Sequence, residues 1–468
     1  MKRLRYLLAL LLAFSLVAAA CGDDDDDAGS DDGDTAAETD SGDDDMAEED
    51  GDDDMAEEDG GEILTGLGVD AENKVIRVGL NADLSGTFAA LTTVITEGQQ
   101  IFWERYNDNG GYQGWTVEPV VLDNAYDVPT HLANYDIFAG EGDQGVVMLT
   151  QSTGSPHTAA IAEDLVDDDL LAIPLSWYSG WTDPAIGANV LEVQANYCIE
   201  AMNGVTYMSE TYGNKIAIAS FPGDYGQDGA IGANIAAEAL GLEIVYDGEA
   251  QVIPGADQTP VITGIAESGA DFVWLTTGPT QTAELIGGAA AAGYAGQWAG
   301  NSPAWNPALL GTGLVDILDA SYTHSTYTTL WGIGDSPGMQ DLIATMQEYA
   351  PDNIADDVYI ISWIEGLIAQ TIIEQAIDNG DVTRAGMVAA SQQVEVDLQG
   401  LAPNQAWSGE PNEQIVRGTY LYDIDASVFT PDGTVSDADA NRGYTLIEGD
   451  YVSPTAEAWT YEPCFKAS

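Results

Sequence analysis

The pattern of apolar and polar residues between Val75 and Gly114 predicts a buried strand followed by a long amphipathic helix. Residues 75–80 form a short β-branched run, which suits a strand covered on both faces. A polar turn follows. Residues 87–107 then carry apolar side chains mostly three or four positions apart, and the helix stops at Asn109-Gly110-Gly111. Ligands of open parallel sheets bind beyond the carboxyl ends of the strands, so we expect function at this turn.

The same alternation of strand and helix continues along the chain and predicts an α/β fold with parallel sheets covered by helices. The chain is long enough for two domains. The predicted strands after the first are 117–122, 146–150, 170–175, 215–220, 242–246, 271–277 and 297–301. The predicted helices after the first are 128–138, 156–166, 192–209, 229–240, 260–268, 280–292 and 353–378. Residues 419–468 show strand-like pieces and turns without recognisable chemistry.

The first 21 residues have the layout of an export signal. A basic start, residues 1–5, precedes a 15-residue apolar run, which is too short to cross a bilayer comfortably. The sequence LVAAACG around Cys21 resembles a bacterial lipobox, with Ala18 at the position that prefers Leu. We expect Cys21 to be lipidated and to anchor the protein at the outer face of the cell membrane. Ordinary secretory cleavage after Ala20 is the alternative.

Residues 22–62 are strongly acidic and contain the repeat DDDMAEEDG at 43–51 and 52–60. Such a segment buries too little apolar surface to fold, so we expect a disordered tether, with cation binding as a less favoured alternative. The rest of the mature chain still has 56 acidic and 8 basic residues, a net charge of −48. This excess argues against nucleic acid and anionic membranes as partners and suggests a saline habitat.

Four short motifs give the chain a family resemblance. They are Val-Gly-Leu at 78–80, Leu-Ser-Gly at 84–86, Glu-Gly at 97–98 and the exit NDNGGYQG at 107–114. With later motifs in the same order, the chain resembles the leucine/isoleucine/valine-type substrate-binding proteins of ABC importers over about residues 72–330. The resemblance implies the type I periplasmic-binding fold, in which two Rossmann-like lobes with parallel sheets are joined by a multi-strand hinge. It also implies a monomeric receptor that closes on a small polar ligand, such as an amino acid, an amide or a urea-like molecule, and passes it to a membrane ABC permease.

The family scheme suggests where the chain passes between the lobes. Crossings are expected near Asn189, Ser321 and Asn404. The N-terminal lobe then comprises residues 63–190 and 322–403, and the C-terminal lobe comprises 191–321 and 404–468. Besides Cys21, the chain has Cys198 and Cys464, which both fall in the C-terminal lobe. An isolated cysteine pair in an exported protein usually bridges, so we predict a Cys198–Cys464 disulfide.

The resemblance places candidate ligand contacts at four strand ends. The turn 150–156 matches the family's carboxylate-binding turn, and Tyr225 matches an aromatic that closes over the ligand. Without the resemblance, the same turns would be interpreted as helix caps. The candidate ligand-binding residues are Leu91, Ser152, Thr153, Ser176, Trp177, Tyr178, Tyr225 and Thr277.

One departure from the family bears on the ligand. Amino-acid receptors of this class carry an acid after the strand near residue 297, whereas this chain has Gly300-Asn301-Ser302-Pro303. A buried ammonium without a partner is costly. Either Asp83 or Asp224 replaces the acid, or the ligand is an amide, a urea-like molecule or an aromatic carboxylate. Trp177, Trp181 and Trp305 could stack on such a ligand or belong to the core.

No known catalytic motif is present in the sequence. The three histidines, His131, His157 and His324, have no metal-ligand spacing, and there is no G-x-S-x-G elbow, Walker loop or dinucleotide fingerprint. We therefore predict a binding protein without cofactor or metal. A sensor module of a signalling system and an exported amide hydrolase are the alternatives.

Overall fold

The structure is a computed structural model that describes residues 63–466. Strands are β1 (Val69–Asp70), β2 (Val75–Ala82), β3 (Thr116–Asp123), β4 (Met148–Thr153), β5 (Leu171–Leu175), β6 (Lys215–Ser220), β7 (Glu243–Gly248), β8 (Phe272–Thr276), β9 (Gln297–Gly300), β10 (Tyr322–Thr326), β11 (Glu395–Val396), β12 (Gln405–Ala406), β13 (Thr419–Ile424) and β14 (Tyr444–Tyr451). The signal sequence, Cys21 and the acidic tether lie outside the described residues.

Helices separate most of these strands. They are α1 (Ala89–Asp108), α2 (Val128–Ala139), α3 (Ser155–Asp167), α4 (Tyr197–Tyr212), α5 (Gly223–Leu240), α6 (Thr259–Ser268), α7 (Pro279–Ala291), α8 (Val315–Ser321), α9 (Pro337–Tyr349), α10 (Tyr359–Asp378), α11 (Arg384–Ser391), α12 (Pro411–Gln414) and α13 (Pro454–Ala458). The predicted α/β fold of two lobes with mainly parallel sheets is confirmed.

The first lobe is built around a sheet in which β2, β3, β4 and β5 run parallel. Strand β2 pairs with β3 on one side and with β4 on the other, and β4 pairs with β5. Short β1 joins the start of β2 antiparallel. Helix α10 packs against α1 over this sheet and is almost entirely buried. Its length and composition would permit a membrane span, but its burial identifies it as a core helix.

The second lobe has a seven-stranded sheet in the order β14-β13-β10-β9-β8-β6-β7. The strands from β7 to β10 are parallel, whereas β13 and β14 extend the sheet antiparallel. Residues 419–451, which showed no recognisable chemistry in the sequence, therefore complete this lobe. Strand β10 also belongs here, so the chain leaves the second sheet after Thr326 rather than at the predicted crossing near Ser321.

Three predicted helix starts were wrong. Helix α10 begins at Tyr359 rather than residue 353, because the backbone of Asn353 and Ala355 pairs with residues 433–435 instead. Helix α4 begins at Tyr197 rather than residue 192, because Asn196 caps it by accepting a hydrogen bond from the amide of Ile199, and Gln194 has a positive φ of 61° that interrupts a helix. Helix α5 begins at Gly223 rather than residue 229. The glycine-rich segment before residue 229 is therefore helical, and this places Tyr225 on the first turn of α5.

Candidate functional site

A cavity lies where the carboxyl ends of the two parallel sheets face each other. It encloses about 790 Å³, including the part open to solvent. The start of α1, the turn after β4 and the segment after β5 form the first-lobe wall, while the segments after β9 and β10 form the second-lobe wall. This is the position at which open α/β sheets bind ligands.

Aromatic side chains dominate the lining of this cavity. The rings of Trp177 and Tyr327 stack 4.2 Å apart, which brings the two walls into contact. Among the described residues that line the cavity, no lysine or arginine occurs, and Asp357 is the single carboxylic acid. The lining aromatic residues are Phe88, Tyr126, Trp177, Tyr197, Tyr225, Trp305, Tyr327 and Tyr444. The arrangement favours a largely apolar solute.

Four of the eight predicted contact residues line the cavity, namely Leu91, Thr153, Trp177 and Tyr225. The indole NH of Trp177 donates to Gln194 Oε1 at 2.7 Å, which fixes its ring. The hydroxyl of Tyr225 donates to the carbonyl oxygen of Thr277 at 2.6 Å and lies 3.0 Å from Asn301 Oδ1. These side chains are therefore held in place before any ligand arrives.

The other four predicted residues lie behind the cavity wall. Ser152 contacts His131 and Thr158, and Ser176 lies 2.7 Å from the hydroxyl of Ser155, which itself lines the cavity. The side chain of Thr277 contacts Thr282, and the hydroxyl of Tyr178 donates to the carbonyl oxygen of Phe465. In this conformation the four residues support the wall, and their role as ligand contacts stays a prediction.

Neither acid suggested by the sequence lines the cavity. Asp83 accepts hydrogen bonds from the amides of Gly86 and Phe88 and so stabilises the turn that precedes α1. Asp224 is buried on α5 outside the lining. The acid in the wall is Asp357, which accepts from the hydroxyl of Tyr444 at 2.6 Å and from the amide of Trp331 at 2.9 Å. Burial, with repulsion from Asp356, raises the pKa of Asp357 to about 7.

A second buried acid lies beneath the loop where the family acid was expected. Glu200 on α4 is fully buried, and its Oε1 accepts from the amide of Ser302 at 2.8 Å. Its burial raises the pKa of this carboxyl well above its usual range. Glu200 therefore supports the loop through its hydrogen bond with the amide of Ser302.

Sequence reasoning missed the lining residues that follow Ser321. His324, Tyr327 and Tyr444 all line the cavity, and Trp305 donates through its indole NH to the hydroxyl of Tyr444 at 2.7 Å. The run Tyr322–Thr326 has the aromatic and β-branched composition of a strand. Had it been recognised as one, the residues at its carboxyl end would have been candidates by the same rule that found Thr153.

The predicted disulfide between Cys198 and Cys464 is confirmed, with Cα atoms 6.3 Å apart. The bond joins the C-terminal tail to α4, and the tail also contacts the segment that follows β5. There the amide of Cys464 donates to the hydroxyl of Ser179 at 2.9 Å, and the amide of Phe465 donates to Asp228 Oδ1 at 3.2 Å. The hydroxyl of Ser179 donates in turn to Asp228 Oδ1 at 2.6 Å. The tail thus joins a hydrogen-bonded contact between the first-lobe segment and α5.

The nearest approach to a Ser/His pair is Ser152 with His131, at 3.3 Å. Asn124 Oδ1 accepts from the amide of Tyr126, so the amide nitrogen of Asn124 faces His131 Nδ1 at 3.0 Å. That nitrogen donates, which makes Nδ1 the acceptor and leaves the proton on Nε2. A histidine in this tautomer donates to Ser152 and does not remove its proton. Among residues 63–466 there is also no cluster of three metal-ligating side chains.

Comparisons with known proteins agree with this architecture. A sequence profile for the family described as Periplasmic binding protein matches residues 75–430. Among solved structures, the chain is similar to a fatty acid ABC transporter substrate-binding protein from Thermomonospora curvata. The identity is 25%, the TM-score is 0.74, and the match covers 85% of this chain and 97% of that chain.

Two further structures share the fold at lower identity. The first is a branched chain amino acid ABC transporter protein from Thermus thermophilus with bound valine, at 16% identity, TM-score 0.70 and coverage of 82% and 98%. The second is a possible leucine/isoleucine/valine-binding protein from Rhodopirellula baltica, at 15% identity, TM-score 0.64 and coverage of 80% and 97%. The sequence matches none of the curated proteins with which it was compared.

Proposed function

This chain belongs to the periplasmic binding protein family, and from that premise we propose that its cavity binds a largely apolar organic solute with one polar end. The protein is an extracytoplasmic solute-binding receptor that delivers its ligand to an ABC transporter. The observation that carries the ligand class is the cavity lining, in which aromatic and aliphatic side chains predominate and Lys and Arg do not occur among the described residues.

The composition of the cavity wall accounts for this choice. Burying about 150 Å² of apolar ligand surface against such rings contributes roughly 4 kcal/mol before ordering costs. A zwitterionic amino acid would in addition need a partner for its ammonium group. Asp357, the acid in the lining, already accepts hydrogen bonds from Tyr444 and Trp331. The wall therefore favours a ligand with a substantial apolar part over a free amino acid.

The similar structure from Thermomonospora curvata supports the same ligand class, because its name describes a fatty acid ABC transporter protein. The valine bound to the Thermus thermophilus protein supports the alternative of a small amino acid. A fatty acid and valine differ in the apolar surface that they bury on binding. Affinities measured for a series of ligands with increasing apolar surface therefore distinguish the two ligand classes.

Binding is coupled to closure of the lobes. A ligand shifts the hinge equilibrium only by its differential affinity for the closed form. In that form the rings of Trp177 and Tyr327 stack across the cavity, and a ligand beside them contacts both lobes. Leu91 and Thr153 from the first lobe and Tyr225 from the second would contact the same solute. The closed form is the state that the membrane permease would recognise.

We further propose that Cys21 carries a lipid anchor, that the acidic segment 22–62 spaces the receptor from the membrane and that the protein acts as a monomer. It would bind its ligand without catalysis, because His131 carries its proton on Nε2 and so cannot act as a base toward Ser152. A sensor module with the same fold is the remaining alternative, and the neighbouring genes, permease or kinase, distinguish the two.

The experiment is to purify the protein, denature it and identify the released small molecules by mass spectrometry. We expect a solute with a hydrocarbon chain or ring, recovered in a ratio near one per protein. A Trp177→Ala variant should release far less, whereas Trp459→Ala, a residue outside the cavity, serves as the matched control. Recovery of free amino acids, instead of such a solute, at about one molecule per protein would contradict the proposed ligand class.

A further inference from the structure

The second-lobe wall of the cavity contains two polar atoms without a partner. The hydroxyl oxygen of Tyr327 and the Nδ1 atom of His324 are buried, and neither forms a hydrogen bond of normal geometry with any described residue. Ser302 makes only a weak contact with the Tyr327 hydroxyl, which slightly offsets the rise in pKa that burial causes. Both residues line the cavity. Buried polar atoms are nearly always hydrogen-bonded in folded proteins, so a pair of unpartnered atoms in one cavity wall indicates that something else binds them.

Neighbouring rings fix the positions of both side chains. The Tyr327 ring stacks on Trp177 at 4.2 Å. The His324 ring lies between Trp305, at 5.9 Å, and Tyr444, at 6.0 Å. Strand β10 holds the backbone of His324 between β9 and β13. Because neither ring can turn away to find another partner, the unpartnered atoms act as a preformed binding site.

Both groups are uncharged at neutral pH. Burial lowers the pKa of His324 to about 3 and raises that of Tyr327 well above its usual range. A neutral imidazole has one donor and one acceptor nitrogen, and a phenol both donates and accepts. Together they match a polar group that contains an acceptor oxygen and a donor NH or OH.

The remaining wall gives little support to a charged end. The described lining residues include no lysine or arginine to balance a carboxylate, and a bare charge in such a wall is costly. The amino end of α3 is the feature most favourable to an anion, but Pro156 contributes no NH and the hydroxyl of Ser155 is engaged with Ser176. A cation would find only Asp357, which already has two donors.

From this geometry we propose that the polar end of the ligand is an uncharged hydrogen-bonding group, such as a carboxamide, that binds Tyr327 and His324 on the second lobe. The inference rests on the proposed function and adds to it the head group and the residues that select it. Tyr327 and His324 are then the residues that determine specificity for the polar end, and the aromatic walls select the apolar part.

The test compares three probes with the same six-carbon chain: hexanamide, hexanoate and hexylamine. Their binding at pH 7 is followed by calorimetry and by the fluorescence of Trp177 and Trp305. We expect hexanamide to bind at least about tenfold more tightly than either charged probe. Tighter binding of hexanoate or hexylamine would overturn the inference and leave the proposed receptor function intact. If none of the three probes bound, both the inference and the proposed ligand class would fail.

Tyr327→Phe and its matched control assign the effect to a residue. Tyr322→Phe also removes a buried unpartnered hydroxyl, from the same region of β10, but Tyr322 does not line the cavity. We expect Tyr327→Phe to weaken hexanamide binding about five- to tenfold and Tyr322→Phe to change it less than about twofold. Neither substitution should lower the urea midpoint of the ligand-free protein, because each removes a buried hydroxyl that lacks a hydrogen-bond partner. Equal affinity of the Tyr327→Phe variant and the wild type would mean that an ordered water binds this hydroxyl, and the inference would be wrong.

Discussion

Tyr444 donates a hydrogen bond from its hydroxyl to Asp357 Oδ2 at 2.6 Å, within the wall of the cavity. Tyr444 begins β14 of the second sheet, whereas Asp357 immediately precedes α10, which packs on the first sheet. The contact therefore joins the two lobes at the site. It combines an acid and a phenol that lie 87 positions apart in the sequence.

Asp357→Asn should reduce the pH dependence of stability. The folded pKa of about 7 lies above the ordinary value of 3.8, so the folded protein retains a proton that the unfolded chain has lost between about pH 4 and pH 7. This contribution is fully present below pH 4 and is lost as the pH rises to 7. The loss reaches at most about 1.4 kcal/mol per pH unit. Arg442, which favours the charged form, and Asp356, which opposes it, remain in the variant.

Urea midpoints at pH 5, 6, 7 and 8 measure this effect. Wild type should be most stable at pH 5, and Asp357→Asn should have a shallower slope. The slope should not vanish, because burial also raises the pKa of Asp228 and of Glu192 to about 7. Glu72→Gln, at an exposed position, is the control and should follow the wild type. If the urea midpoints of Asp357→Asn and wild type changed in parallel with pH, the raised pKa of Asp357 would be contradicted.

Asp228→Ala should weaken ligand binding without altering the cavity. Asp228 on α5 accepts hydrogen bonds from the amide and hydroxyl of Ser179, which follows the last strand of the first sheet. Removing this contact destabilises the closed form and leaves the lining unchanged. Hydrogen bonds to a charged carboxylate are worth about 1.5–3 kcal/mol. At pH 8, above the pKa of about 7 of Asp228, we therefore expect the dissociation constant of the recovered solute to rise about 10- to 100-fold.

Small-angle scattering without ligand provides a second readout of this variant. The Asp228→Ala protein should have a larger radius of gyration than the wild type, because the open form gains population. Glu238→Ala, an exposed position on the same helix, should alter neither quantity. If Asp228→Ala bound the solute as tightly as the wild type, the contact would have no role in closure.

Reduction of the Cys198–Cys464 disulfide should destabilise the protein. The bond closes a loop across 266 positions, for which the loop-entropy model gives a stabilisation of about 5–6 kcal/mol. A reductant should therefore lower the urea midpoint of wild type, while a Cys198→Ser/Cys464→Ser variant should be insensitive to it. Titration of the unfolded, unreduced protein should find neither of these two thiols. A wild-type urea midpoint that is unchanged by the reductant would contradict this prediction.

Molar salt should stabilise the folded domain. The mature chain beyond the acidic segment has a net charge of −48, and only two ion pairs, Arg105–Asp341 and Lys466–Glu462, occur among the described residues. Salt screens the repulsion between exposed carboxylates over a Debye length of about 10 Å at 0.1 M and about 3 Å at 1 M. The urea midpoint should rise between 0.1 M and 2 M NaCl. Coincident midpoints would remove the case for a saline habitat.

Sequence reasoning succeeded where structure is determined locally. The β-branched run at Val75 and the spacing of α1 predicted the first strand and helix to within two residues. The family resemblance, together with the rule that ligands bind at strand ends, then placed Thr153 and Trp177 at the cavity. Both inferences depend on periodicity over a short window and on the shared edge of parallel strands.

The second-lobe wall could not be predicted in the same way. Tyr444 reaches the cavity because β14 pairs antiparallel with β13, and that pairing joins segments with no shared periodicity. Asp357 becomes a lining acid only through the packing of α10 on the first sheet. Such long-range contacts depend on tertiary packing, which a single sequence does not reveal.

A crystal structure of the protein with the recovered solute would show where the ligand binds. We expect electron density between Trp177 and Tyr225, with the polar end of the solute against Tyr327 and His324. A second cleft, lined in part by Trp181 and Trp407, lies beside the segments that connect the lobes. Density for the solute in that cleft, with none between the two sheets, would refute binding between the lobes.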